Sequence, residues 1–249
     1  MAYRTYAPER DDPFPVSRSG IEQFIRCPRC FYQHRRQGLR PPPMVPLTLA
    51  VATDALLKNE FDTIRGNDDV HPLWKEYGLN VRAFDHPNID IWRSNFKGCR
   101  VLHAETNLEI FGAVDDVWQN RNTGELHIVD YKSTSNKGDP TIDGGGWSDS
   151  YKRQMEIYQW LFRQSGFEVS NTGYFLYVNG SKEGTFYDAT LGGIMRFSTT
   201  LIPYEGDGSW LPDILLQVRS CLEGEVAPGP SENCDICSYF SSREILEVH

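Results

Sequence analysis

Asp130, Tyr131 and Lys132 close the run Glu-Leu-His-Ile-Val-Asp-Tyr-Lys, and their types and spacing suit chemistry on a phosphate. The period-2 alternation of a strand puts Leu126, Ile128, Asp130 and Lys132 on one face. Two apolar residues are followed there by an acid and an amine, so the strand leaves a core and ends in charge. Asp130 and Lys132 stand about 6.6 Å apart along such a strand, close enough to touch one phosphate and its metal ion. An earlier run, Leu-Glu-Ile-Phe-Gly-Ala-Val-Asp-Asp-Val-Trp, joins this one through Arg121-Asn122-Thr123-Gly124, and the two read as a hairpin over 108–132. The first arm brings a second carboxylate to the same end. A four-residue loop over 121–124 sets Asp115 across from Asp130, whereas a three-residue loop with Gly124 in a bulge sets Asp116 there. The sequence leaves both registers open.

Two acids and a lysine at a hairpin mouth suit metal-assisted phosphodiester hydrolysis. Carboxylates are hard oxygen ligands for Mg²⁺ or Mn²⁺. The ion polarises the phosphate and acidifies a water, and the lysine orients that water or steadies the transition state. For the tripeptide taken alone, an ordinary Asp–Lys pair at a strand end is the commoner explanation. Gln154 and Tyr158 add to the pattern. They lie four apart, hence on one face, of an amphipathic helix over 151–164 whose stripe is Tyr151, Met155, Tyr158, Leu161 and Phe162.

Gly112-Ala-Val-Asp115, then Asp130-Tyr131-Lys132, then Gln154-Met-Glu-Ile-Tyr158 occur in that order. Motifs, order and spacing resemble the PD-(D/E)XK nuclease superfamily in its RecB-like branch, over about residues 17–240. The resemblance implies a restriction-endonuclease-like α/β core, a central mixed β-sheet flanked by helices. It implies Asp115 and Asp130 as ligands of the catalytic metal, with Asp116 a neighbour or substitute and the Tyr131 carbonyl a further ligand. Lys132 then serves the water or transition state, and Gln154 and Tyr158 flank the site. RecB-like nucleases often carry a histidine on the first core helix that reaches the metal; here Asp54 lies nearest to that place. The activity implied is that of a Mg²⁺- or Mn²⁺-dependent deoxyribonuclease, an exonuclease in recombination, repair or CRISPR spacer processing. Its partners would be DNA, single-stranded DNA included, and a helicase or CRISPR adaptation protein. The alternative is a non-catalytic nucleic-acid-binding or assembly subunit on an inactivated nuclease fold.

Six cysteines include two Cys-x-x-Cys pairs, Cys27/Cys30 and Cys234/Cys237, near opposite ends of the chain. Two such pairs signal a soft metal, and they would clamp the two ends together. Zinc suits four thiolates at this spacing, and so does a [4Fe–4S] cluster. Phe31 and Ser238 follow the second cysteines where zinc knuckles commonly have glycine. The CRISPR adaptation exonucleases and AddB, which the chain resembles, carry a terminal iron–sulfur staple, usually with one cysteine before the core and three after it. On that resemblance the reading leans to iron–sulfur.

The chain has 249 residues, 39% hydrophobic, and a net charge of −9. That charge argues against a general nucleic-acid coating protein, though a nuclease depends on its local field. No apolar run approaches the length of a membrane span, and the N-terminus lacks a signal-peptide apolar region, so a cytoplasmic protein is expected. Residues 1–16 read as a tail and 17–249 as one nuclease domain, with 67–100 a possible insertion at a sheet edge. Ser19 and Glu22 suggest a capping box for a short helix. The densest positive stretch contains Arg26, Arg29, His34, Arg35, Arg36 and Arg40, closed by the prolines at 41–43, and Lys152 and Arg153 add charge beside Gln154. Arg35, Arg36, Lys152 and Arg153 are the candidate phosphate contacts. A helix carrying Leu49, Ala52, Leu56 and Leu57 is expected to stop at Gly66. The 133–150 stretch reads as a long loop, Asn179-Gly180 as the turn of a second hairpin from 174 to 187, and 212–222 as a helix.

Overall fold

A computed structural model of the chain describes residues 4–40, 45 and 47–247, the side chains of 244–247 excepted. The prolines at 41–43, expected to end the basic segment, lie outside them. The architecture is mixed α/β. In chain order, the first elements are β1 (Phe14–Ser17), α1 (Arg18–Arg26), α2 (Pro28–Arg35), α3 (Thr48–Asp62), α4 (Pro72–Glu76), β2 (Val81–Ala83) and α5 (Ile89–Trp92). There follow β3 (Cys99–His103), β4 (Leu108–Gly112), β5 (Asp116–Asn120), β6 (Leu126–Thr134) and α6 (Trp147–Gln164). The chain continues with β7 (Thr172–Gly180), β8 (Tyr187–Asp188), β9 (Gly192–Gly193), β10 (Phe197–Glu205), α7 (Leu211–Glu223) and α8 (Asp235–Glu247). No helix among the described residues is long and apolar enough to cross a membrane.

The described residues fall into two compact units, one drawn from 45, 47–99 and 113–208, the other from 4–40, 100–112 and 209–247. The first holds a five-stranded mixed sheet in the order β10-β7-β6-β5-β2. β6 is central: it pairs antiparallel with β5 and parallel with β7. A strand covered on both faces reads as a nearly continuous apolar run, and residues 126–131 are all buried. On one face Val129, Tyr131, Leu176 and Trp118 pack with Leu57 and Phe61 of α3 and Trp74 of α4. α6 lies against the other face, where the Gln154 side chain bonds to Asp130.

Several expectations change here. The first arm of the expected hairpin is broken: residues 108–112 form β4, which belongs to a different, three-stranded sheet, β1-β4-β3. The hairpin proper is β5–β6, and Asn120 decides its loop. Its Oδ1 accepts from the amides of Asn122 (2.9 Å) and Thr123 (3.1 Å), and its amide donates to the Glu125 carbonyl at 2.9 Å. Gly124 closes the loop at φ 80°, in the left-handed region that glycine enters without strain. The result is the four-residue loop, with Asp116 opposite Val129 and the preceding Asp115 in register with Asp130.

Asn179-Gly180 makes no hairpin turn. β7 runs through both residues, and its antiparallel partner is β10, with Phe197 opposite Gly180. The Asn179 amide side chain instead donates to the Asn136 carbonyl at 3.1 Å, so it pins the segment after β6. α6 starts at Trp147, four residues before the expected start, with Gly146 before it at φ 74° and Asp149 in its first turn. An acid there is favoured by the unpaired amides of a helix start. Of the apolar residues expected to line α3, Leu57 is buried but Leu49 and Leu56 are exposed, and Phe61 completes the buried face. Residues 67–100 supply core as well as edge: β2 is an edge strand, and Trp74 is fully buried. His71 caps α4 by accepting from the Leu73 amide, and His86 stacks on Trp92 with centroids 4.4 Å apart.

In the other unit the end of the expected tail is a strand. Phe14 and Val16 are buried in β1, which pairs parallel with β4. Because β1 ends at Ser17, Ser17 rather than Ser19 caps α1, its Oγ accepting from the Gly20 amide at 3.1 Å. Pro28 ends α1 and occupies the first turn of α2, where its missing N–H costs nothing. Leu211, Leu215, Val218 and Leu222 form the buried stripe of α7.

Candidate active site and cysteine cluster

Strand alternation delivers Asp130 and Lys132 to the α6 face of β6, and the Lys132 ammonium forms an ion pair with Asp130 Oδ2. From α6, Gln154 Nε2 donates to Asp130 Oδ1 at 2.8 Å and to the Tyr158 hydroxyl at 3.1 Å. Gln154 Oε1 faces the Lys132 ammonium at 3.4 Å. One amide therefore orients both the acid and the amine, and the helix spacing of four brings Tyr158 into the same chain of bonds. The Lys132 ammonium also lies 4.3 Å from the Tyr151 ring centroid.

Asp115 sits just before β5, where its Oδ2 accepts from the Tyr131 amide at 2.8 Å. Burial and the neighbouring Asp130 charge push its pKa up to about 7, against the opposing pull of Lys132 and Lys58. Burial disfavours the Lys132 ammonium, but Asp130 and Asp115 outweigh it and hold that pKa above its ordinary value. Two carboxylates are thus crowded together here, beside the ammonium groups of Lys132 and Lys58.

Asp116 goes elsewhere. Fully buried, its Oδ1 accepts from Arg65 at 2.8 Å, Arg93 at 2.9 Å and the Val117 amide at 2.8 Å, and its Oδ2 accepts from the Tyr131 hydroxyl at 3.0 Å. Neighbouring strand residues face opposite ways, so the register that gives Asp115 to Asp130 commits Asp116 to the other face. The structure does not bring Asp116 to Asp130, and the Tyr131 ring belongs to the α3-side core.

α3 brings Asp54 toward the site together with a residue that sequence reasoning missed. The Lys58 ammonium lies 2.9 Å from Asp54 Oδ2 and 3.5 Å from Asp115 Oδ1. The signal was present, since an acid followed four residues later by a lysine is a helix ion pair. Arg65 and Arg93 were missed as well, because nothing local marks them as partners of Asp116.

Lys152 and Arg153 precede Gln154 on α6, both half-buried, with the Lys152 ammonium 6.0 Å from the Tyr204 ring centroid. Arg35 and Arg36 belong to the other unit, at the end of α2, where the Arg36 guanidinium lies over the Tyr6 ring at 5.6 Å.

That unit also holds the cysteine cluster. The sulfurs of Cys27, Cys30, Cys234 and Cys237 all lie within 4.8 Å of one another. Cys30 Sγ is 3.5 Å from both Cys234 and Cys237, and Cys27 Sγ is 3.7 Å from Cys237. Burial opposes ionisation of Cys27, yet hydrogen bonds from the Ser231 and Cys30 backbone lower its pKa to about 6. With one thiolate formed, burial and the crowded sulfurs push the Cys30 thiol far up, and Cys237 rises to about 11. Cys99 and Cys221 stand outside the group.

A family model described as the PD-(D/E)XK nuclease superfamily matches residues 49–242, most of the chain. No curated protein matches the chain.

Proposed function

The chain belongs to the PD-(D/E)XK nuclease superfamily, and from that premise we propose that it is a metal-dependent deoxyribonuclease with Asp115, Asp130 and Lys132 at its centre. The observation that carries the reading is the bonded set in which Gln154 orients both Asp130 and Lys132 while Asp115, just before the neighbouring strand, accepts from the Tyr131 amide. The donor set fits a hard divalent cation: two carboxylates, one of them pushed to about pKa 7 by burial and the other's charge. Asp115, Asp130 and the Tyr131 carbonyl would hold Mg²⁺ or Mn²⁺, which when bound polarises the phosphate and acidifies a water. Lys132 would donate to the attacking water or to the charge developing on the phosphate. Gln154 holds Asp130 in place beside Lys132, and Tyr158 supports Gln154. Lys152 and Arg153 contact the DNA backbone. An exonuclease role in recombination, repair or CRISPR spacer processing, beside a helicase or adaptation partner, rests on the RecB-like motif order alone. The cysteine cluster acts as a structural clamp for a thiophilic metal centre, separate from the catalytic ion.

Lys58 favours a second reading, a DNA-binding subunit without activity, because its ammonium already neutralises Asp115 at 3.5 Å. Mn²⁺-dependent cleavage of single- and double-stranded DNA by the wild type and by Lys132→Ala separates the two. Cleavage lost in Lys132→Ala supports the nuclease. Equal cleavage in both rejects the mechanism, and salt-sensitive binding with no cleavage by the wild type supports the binding subunit.

A further inference from the structure

We infer that the four cysteines hold a single tetrahedral zinc ion and not a [4Fe–4S] cluster. This deepens the reading of the clamp and is independent of the nuclease chemistry. Zinc–sulfur bonds of about 2.3 Å around a tetrahedron place neighbouring sulfurs about 3.8 Å apart. The closest contacts, 3.5, 3.5 and 3.7 Å, are near that edge length, and all four sulfurs stay within 4.8 Å of one another. In a four-iron cluster each thiolate binds a different iron. Any two sulfurs are then separated by two iron–sulfur bonds and an iron–iron edge, so the set must spread much wider than one ion requires.

The absence of glycine after Cys30 and Cys237 also finds an explanation. A knuckle turn needs glycine to aim amides at sulfur, but here the Cys30 amide in the first turn of α2 donates to the Cys27 sulfur without one. α2 begins at Pro28 and α8 at Asp235, each just after the first cysteine of its pair. Cys30 and Cys237 thus fall in first turns, and Phe31 and Ser238 make ordinary helical bonds back to the Cys27 and Cys234 carbonyls, at 3.0 and 2.9 Å. Four thiolates around Zn²⁺ carry a net charge of about −2, and each helix start offers roughly half a positive charge in return. Binding takes up the ion and releases the thiol protons, with no change of oxidation state.

The test uses the full chain, expressed with zinc and iron both supplied and purified without oxygen, followed by metal and acid-labile sulfide analysis. The expected result is one zinc per chain, no sulfide and no visible absorption. The same stoichiometry is expected for Asp130→Asn, which separates this ion from any bound at the nuclease site. Cys30→Ser and Cys234→Ser are expected to lose the zinc. Should they not fold, stoichiometric zinc release from the wild type by a thiol-modifying mercurial, with a falling melting temperature, gives the same answer. Iron with sulfide, a single iron without it, or a metal-free protein whose melting temperature ignores added zinc each overturns the proposal.

Discussion

Asp115 and Asp116 are adjacent in sequence yet should respond to the same substitution in opposite ways. Asp116→Asn removes the charge that Arg65 and Arg93 share at 2.8 and 2.9 Å, at a site with no solvent exposure. Breaking one partner of a buried ion pair costs about 3–5 kcal/mol, because the opposite charge is left uncompensated. Arg65 and Arg93 each keep Asp62 as a partner at 2.8 Å, so the loss stays within that range. For a chain of this size each kcal/mol lowers the melting temperature by about 2–4 °C, giving a fall of roughly 6–20 °C. Asp115→Asn has the reverse signature. An asparagine carbonyl can still accept from the Tyr131 amide, Lys58 keeps Asp54, and the repulsion with Asp130 disappears. Its melting temperature should hold or rise near pH 8, while Mn²⁺-dependent DNA cleavage falls by more than about 10²-fold, as when one partner of transition-state charge is removed. Circular-dichroism melts and cleavage assays on the two variants decide the matter. An active Asp115→Asn beside a folded but inactive Asp116→Asn would refute the register argument and reverse the roles of the two acids.

Lys132→Ala should lower cleavage by about 10²–10³-fold with little change in DNA affinity, measured as separate turnover and binding constants. Gln154→Leu should lower turnover while the melting temperature changes little, since both Asp130 and Lys132 lose their orienting amide; unchanged turnover would remove Gln154 from the site. Because Asp115 is raised to about 7, the metal-free fold gains from its protonation at low pH and loses that contribution as pH rises from about 4 to 7. Below pH 7 a bound divalent ion must displace that proton, so Mn²⁺ affinity measured by calorimetry should fall up to tenfold per pH unit; a flat profile from pH 6 to 8 would contradict the raised pKa. Trp74→Ala, in the α3-side core, should cost about 3–5 kcal/mol in chemical denaturation without touching Asp115 or Lys132.

Local periodicity made part of the site readable. Asp130 and Lys132 share a face because a strand repeats every two residues, and Gln154 and Tyr158 because a helix returns every four. Those rules hold wherever an element packs, so the motif order was legible and the superfamily match agrees with it. The spacing of each Cys-x-x-Cys pair was equally local. Failures arose where a local signal had competing partners. Asn179-Gly180 has good turn chemistry, but the Asn179 side chain was taken by Asn136 and the strand gained more by pairing with β10. The apolar residues of α3 have helical spacing, yet only Leu57 and Phe61 meet the sheet.

The sequence alone therefore determined which side chains ride together on one element: the acid with the lysine, the glutamine with the tyrosine, each cysteine with its near partner. Only the tertiary structure chose between Asp115 and Asp116, through an Asn120 turn that fixed the strand register and so the face each acid takes. It alone also supplied Lys58 to Asp115 and brought Cys30 to Cys234 across 204 residues. Backbone geometry sets the first kind of neighbour within a few residues. The second kind depends on which apolar faces bury each other, and that is settled only when the whole chain packs.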